Sequence, residues 1–126
     1  MEDMSPSPTD SERDPCVVPE RLSAAFAVLQ EKWALPIVYV LLQGPQGFND
    51  IGRAAGAVNP ATLTQRLGRM EQVGLVSKTV QSVMPPRTLY ALTEAGQALR
   101  PVINAFEAWV KRHPLPDEAG KAKEAT

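Results

Sequence analysis

The residues with the most definite chemical potential lie between Asn59 and Val73. On a wheel of about 100° per residue, Leu63, Leu67 and Met70 fall on one side with Val73 beside them, a stripe suited to a core. Ala61, Thr62, Gln65, Gly68, Arg69 and Gln72 occupy the opposite side, which carries no acid, while Glu71 projects near the edge of the stripe. Glutamine pairs with adenine edges, arginine with guanine, and small methyl-bearing side chains with thymine methyls; the major groove of duplex DNA, about 12 Å wide, admits one helix. The N-terminal end of a groove-reading helix enters deepest, which assigns base-edge contact to Ala61, Thr62 and Gln65. Arg66 and Arg69, further along, are expected at phosphates, with Asn59 joining through its backbone. Lys78 and Arg87 are expected to reach the neighbouring DNA backbone. Taken alone, however, this helix is read more simply as an ordinary amphipathic element with a solvated polar face.

Other chemistries have little support. One cysteine, Cys16, and one histidine, His113, rule out an intramolecular disulfide and any Cys- or His-cluster metal site. No G-x-S-x-G, P-loop or G-x-G-x-x-G pattern occurs. No enzymatic activity, cofactor or metal is therefore expected. A thiol reacts with electrophiles as its thiolate, which cations or a helix N-terminus favour. A helix starting near Pro19 would help Cys16 in this respect, and Asp14 and Glu20 would oppose it. Redox sensing by Cys16 and a merely structural or tolerated cysteine both stay open. His113 suits a helix C-terminus, where the dipole favours it.

The elements that must position these side chains follow from periodicity and punctuation. Pro19 to Gln30 reads as a helix, with Leu22, Ala25, Phe26 and Leu29 on one face. Leu35 to Gln43 reads as a second, heavily buried helix with Pro36 in its first turn, and Gly44-Pro45-Gln46-Gly47 as a stop. A short helix from Phe48 to Ala55 is broken by Gly56-Ala57-Val58. Asn59-Pro60 restarts helix with a capping side chain and a proline at the first position, and Gly74 is placed to end it. Short helix, glycine-containing turn, longer helix is the helix-turn-helix pattern over 48–73. The β-prone runs Leu75 to Val80 and Thr88 to Leu92 then make a hairpin over 75–92, with Gln81 to Arg87 expected as an extended tip: a wing. Thr93 is expected to cap a last helix reaching His113, its apolar face formed by Leu99, Val102, Ile103, Phe106, Trp109 and Val110, with Pro101 kinking it or making its first turns irregular.

Charge follows the same map. Residues 1–32 hold seven acidic and three basic residues, net −4, whereas 53–88 hold Arg53, Arg66, Arg69, Lys78 and Arg87 against Glu71, net +4. A basic centre of this kind fits a confined DNA-facing surface, and equally a solvated surface that happens to be basic. Residues 1–15 and 114–126 offer almost nothing to bury and read as disordered tails flanking one domain over 16–113. The acidic N-terminus has no signal-peptide pattern. The longest apolar run, Ala34 to Leu42, falls short of the roughly 20 residues a bilayer span needs. A cytoplasmic protein without a membrane partner is expected.

Several stretches, in order, resemble the HxlR-type family of bacterial winged-helix transcriptional regulators. They are Lys32-Trp33 leading into Ile37 to Leu42, Gly47-Phe48-Asn49-Asp50-Ile51, Leu63-Thr64-Gln65-Arg66-Leu67, Met70-Glu71, Gly74-Leu75-Val76, Pro85-Pro86-Arg87 with Tyr90, Leu92-Thr93-Glu94-Ala95-Gly96, and Trp109. Met70 departs mildly from the leucine more common there. The match spans about residues 16–113. The resemblance implies a mainly α, α+β winged helix that dimerises through its first and last helices, 19–30 and 93–113, and binds a two-fold operator. Family members commonly carry a Cys-Pro pair just before the first helix, and in some that thiol senses electrophiles or oxidants; here the stretch is Cys16-Val17-Val18-Pro19, a departure.

The expected partners are therefore double-stranded DNA and a second copy of the chain, in a homodimer joined through Leu22, Phe26, Leu29, Phe106, Trp109 and Val110, with room for an effector of unknown identity. Those stripes packing on the chain's own core is the alternative to a dimer. The alternative function is a winged helix used only for protein–protein contact, although such a module has no reason to exclude acid from the outer face of 60–73.

Overall fold

The computed structural model describes residues 16–116; the expectations for 1–15 and 117–126 lie outside the described residues. Helix α1 spans Glu20–Leu29 and α2 spans Ala34–Leu41. A two-residue strand β1, Gln46–Gly47, leads into α3, Phe48–Gly56, and α4, Pro60–Gln72. Strands β2, Val76–Val83, and β3, Pro86–Leu92, follow, then α5, Glu94–Gln97, and α6, Arg100–Arg112.

The core lies where α2, α3 and α4 meet the base of the hairpin. Ile37, Val38, Leu41, Ile51, Leu63, Leu67, Met70 and Val76 are its fully buried side chains. Among the described residues no polar or charged side chain is buried, so burial of apolar surface holds this centre together. Gly52 lets α3 and α4 approach closely, since a Cβ there would lie 3.3 Å from Leu63 Cδ2.

Local chemistry sets the limits of α4. Asn59 Oδ1 accepts hydrogen bonds from the backbone N–H of Ala61 (2.8 Å) and of Thr62 (3.4 Å), satisfying donors the first turn leaves open. At the other end Gly74 sits at φ +86°, the Leu75 N–H bonds the Met70 carbonyl at 2.9 Å, and the Gly74 N–H bonds that of Glu71 at 3.1 Å. This is the double closure of a left-handed helix stop.

The sheet is antiparallel with order β1-β3-β2. Gln46 and Gly47 pair with Tyr90 and Leu89. Sequence reasoning treats 44–47 as a stop only; two residues are too few for a period-2 pattern to register. The wing also differs from the extended tip expected over 81–87. Its strands continue to Val83 and Pro86, leaving Met84-Pro85 as the turn, with a register shift between Val80 and Ser82. The prolines do not break the hairpin because Pro85 lies in the turn and Pro86 opens its strand, where no ladder donor is needed.

The expected last helix is two helices. The chain breaks at Ala98 and Leu99, ahead of Pro101, which occupies the first turn of α6 where a missing N–H leaves no gap. Arg100 secures the junction through Nη2, which donates to the Leu42 carbonyl (3.0 Å) and to Gln97 Oε1 (3.2 Å).

Candidate nucleic-acid interface

With Leu63, Leu67 and Met70 turned inward, the opposite side of α4 faces outward. Ala61, Thr64, Gln65, Gly68 and Gln72 are exposed, Thr62 is half-buried, and Glu71, the one acid of α4, is exposed at the edge away from the arginines. Asn59 spends its side-chain oxygen on the cap, so only its backbone and amide nitrogen are left for a ligand. Three positions assigned to base edges, Ala61, Thr62 and Gln65, thus occupy the first two turns of a helix whose start is firmly closed.

The two arginines are placed differently from a free outer face. Arg66 Nε donates to the Lys32 carbonyl at 2.7 Å. Arg69 Nε donates to Glu31 Oε2 at 3.2 Å, an ion pair with side chains 40% and 29% exposed. Both therefore lean on the connector between α1 and α2 through their Nε atoms. The same connector touches the turn before α4: Trp33 holds a left-handed backbone at φ 75°, and its ring fills the space a Cβ on Gly56 would need. The Lys32 ammonium sits 5.3 Å from the Trp33 ring centre. No sequence signal links Glu31 to Arg69, since the contact crosses 38 positions.

The wing contributes two separate points. Lys78 pairs across the ladder with Tyr90, whereas Arg87 is three residues from Tyr90 on the same strand. Alternation therefore puts the two cations on opposite faces of the hairpin, with Lys78 toward its base and Arg87 toward its tip. Both are exposed.

Sequence reasoning gave no role to the start of α3. There Asn49, Asp50 and Arg53 share with Arg87 and Thr88 a polar cleft of about 450 Å³ between α3 and the wing. Arg53 is paired with Asp50, both well exposed. The spacing of Asn49 and Arg53, one helical turn apart, was the signal available for finding them. The cleft thus offers the Arg87 guanidinium and the Asn49 amide to a phosphate oxygen, with Arg53 beside them already paired to the Asp50 carboxylate.

Away from this side, an apolar surface is left uncovered among the described residues. Leu22, Phe26, Phe106, Trp109 and Val110 are exposed, Phe26 by 51% and Phe106 by 49%, and Leu29 is half-buried. Within the single chain these side chains do not pack into the core. Of these, Phe26, Leu29 and Phe106 line a cleft of about 340 Å³ together with Leu35, Leu99 and Ile103. Trp109 lies edge-on to Phe106, with ring centres 6.2 Å apart, and His113, at the end of α6, has its ring 6.1 Å from that of Trp109. Cys16 is exposed, ahead of α1.

Residues 28–118 match the model of the HxlR-like helix-turn-helix family. The chain belongs to that family. Among curated relatives it is 31% identical to the HTH-type transcriptional regulator YodB of Bacillus subtilis (strain 168) over 98 residues, 78% of this chain and 88% of YodB. It is 34% identical to YvaP of the same organism, an uncharacterized HTH-type transcriptional regulator, over 71% of this chain and 82% of YvaP. Of solved structures, the reduced form of YodB superposes with a TM-score of 0.69 at 29% identity, covering 81% of this chain and all (100%) of that one. The redox regulator HypR in its oxidized form superposes at 0.67 with 26% identity, over 75% and 98% of the two chains. This HxlR-like protein is thus a winged-helix, DNA-binding transcriptional regulator.

Proposed function

We propose that the chain acts as a homodimer that grips a pseudo-palindromic operator with α4 of each subunit in the major groove. The observation that carries this reading is the acid-free outer side of α4, with Gln65 exposed at its centre above a capped N-terminus. Ala61, Thr62 and Gln65 read base edges. Arg66 and Arg69 hold phosphates beside them, as does Asn59 through its backbone. Lys78 and Arg87 hold the DNA backbone at the wing, and Asn49 and Arg53 extend that hold to the start of α3. Phosphate contacts fix register and base contacts supply specificity. The α1 and α6 stripes form the two-fold contact, which sets the recognition helices about 34–36 Å apart, one turn of DNA, or a multiple of it. Such a regulator works in the cytoplasm, with the chromosome.

Recovery of bound genomic fragments, followed by binding to the recovered site, tests this. With about 6–10 phosphate contacts per dimer, affinity falls roughly 10³- to 10⁵-fold between 50 and 200 mM salt. Arg69→Ala weakens specific and non-specific DNA alike, whereas Gln65→Ala chiefly relaxes sequence preference, by about 1–3 kcal/mol at its base pair. Parent-like binding by both variants would refute the assignment of this face.

An effector-responsive reading has its own support. YodB has been solved in reduced, diamide-treated and quinone-bound forms, and HypR in an oxidized form. In this chain Cys16 is exposed near the start of α1. Oxidant or quinone treatment should then change DNA binding by the parent and leave Cys16→Ser unaffected; equal responses would remove Cys16 from the mechanism.

A further inference from the structure

The face of α4 centred on Gln65 carries no acid, Glu71 being exposed at its far edge, yet the structure brings one to its arginine flank from another part of the chain. Glu31, in the connector between α1 and α2, meets Arg69 Nε at 3.2 Å, and the pair is neither buried nor fully solvated. Arg66, one turn earlier, is held by a neutral group, the Lys32 carbonyl. Among the described residues, then, Arg69 is paired with a carboxylate and Arg66 is not. Resting on the DNA-binding reading above, we propose that Glu31 is an affinity-setting residue: its carboxylate competes with a DNA phosphate for Arg69 and gives the guanidinium up when the duplex docks.

The physical basis is an exchange of anions. A guanidinium binds carboxylate and phosphate by the same planar fork of N–H donors. In unbound protein Arg69 already has an anionic partner, so its transfer to phosphate gains only the difference between two similar contacts. The freed carboxylate then lies within about one Debye length of the DNA backbone, roughly 10 Å at 0.1 M salt, and opposes it. Arg66 faces neither cost, because a carbonyl carries no net charge. The arrangement also leaves a neutral strut available, since an acceptor at position 31 can hold Arg69 Nε without the negative charge.

Glu31→Gln separates the two roles, because it keeps the acceptor and removes the charge. Competition predicts that Glu31→Gln binds operator and non-specific duplex more tightly than the parent at 50 mM salt. The expected gain is about two- to fivefold per recognition helix, the range of a partly exposed ion pair, and it fades as salt rises. The ratio of specific to non-specific affinity stays unchanged, as expected of a phosphate contact. The decisive comparison is Arg69→Ala in both backgrounds. Competition makes this substitution more damaging in the Glu31→Gln protein than in the parent, whereas simple repulsion of DNA by Glu31 makes the two losses equal. A strut alone predicts parent-like binding by Glu31→Gln and loss with Glu31→Ala. Equal losses in the two backgrounds, or a Glu31→Gln protein that binds no better than the parent, overturns the proposal while the DNA-binding reading stands. Absence of duplex binding by the parent itself overturns that reading instead.

Discussion

Asn59 shows how one side chain decides where a DNA-reading helix begins. Its oxygen closes two backbone donors of α4, so the orientation of Ala61, Thr62 and Gln65 depends on a residue that does not itself read bases. Asn59→Ala gives those donors over to water at an exposed helix start, and substitutions of this kind cost about 1 kcal/mol. For a domain of this size the thermal midpoint should drop by roughly 4–8 °C, and Asn59→Asp, which keeps the acceptor, should restore most of it. An Asn59→Ala protein melting with the parent would show the cap to be dispensable. This cap was legible in the sequence because asparagine followed by proline acts within one turn, and Gly74 was legible at the other end for the same reason. The Glu31–Arg69 pair was not, because tertiary packing alone brings the two residues together. The wheel puts Arg69 on the outward side; the structure instead sets it on a flank, half-buried against Glu31 of the α1–α2 connector, a placement that only tertiary packing decides.

Between elements, α5 is the joint that ties the wing to the end of α4. Thr93 Oγ1 donates to the Gly74 carbonyl at 2.6 Å and accepts from the Gly96 N–H at 3.2 Å, so a single hydroxyl spans the helix stop and the start of α5. Gly96 is buried against the hairpin, and a Cβ there would fall 2.4 Å from the Leu75 carbonyl oxygen and 2.8 Å from Leu92 Cδ2. Backbone cannot yield as a flexible side chain does, so Gly96→Ala must lift α5 from the wing base. Overpacking of this kind costs about 1–3 kcal/mol, readable as a lowered denaturant midpoint; a variant as stable as the parent would mean that the joint is loose. At this scale the helix-turn-helix and the hairpin were legible, because glycine, proline and period changes mark their limits. Strand β1 and the break at Ala98 were not. A two-residue strand has no period of its own, and a helix break set by Arg100 reaching the Leu42 carbonyl depends on a contact with α2.

For the molecule as a whole, the governing balance is between a small buried centre and a large apolar surface outside it. No residue of α6 is buried within the single chain, and on α1 only Val28 is. Exposed aromatic and aliphatic side chains at such density, on two helices that frame one cleft, exceed what a monomer usually leaves uncovered. A second copy presenting the same stripes would cover Phe26, Phe106 and Trp109 in one symmetric contact, as an isologous interface requires. Phe106→Asp is the sharp probe, since Phe106 is half-exposed and its replacement should leave the apolar centre around Ile37, Ile51 and Leu67 intact. The expected result is a folded monomer by light scattering, with an unchanged circular dichroism spectrum. Its operator affinity should fall at least about 100-fold, because the second recognition helix is no longer held at high effective concentration. Weak, salt-sensitive binding to any duplex should survive, since each α4 and wing remain whole. If Phe106→Asp combined with Phe26→Asp still sedimented as a dimer with parent affinity, the two-fold contact would have to lie elsewhere on the molecule, and the spacing of the two recognition helices would need a different frame.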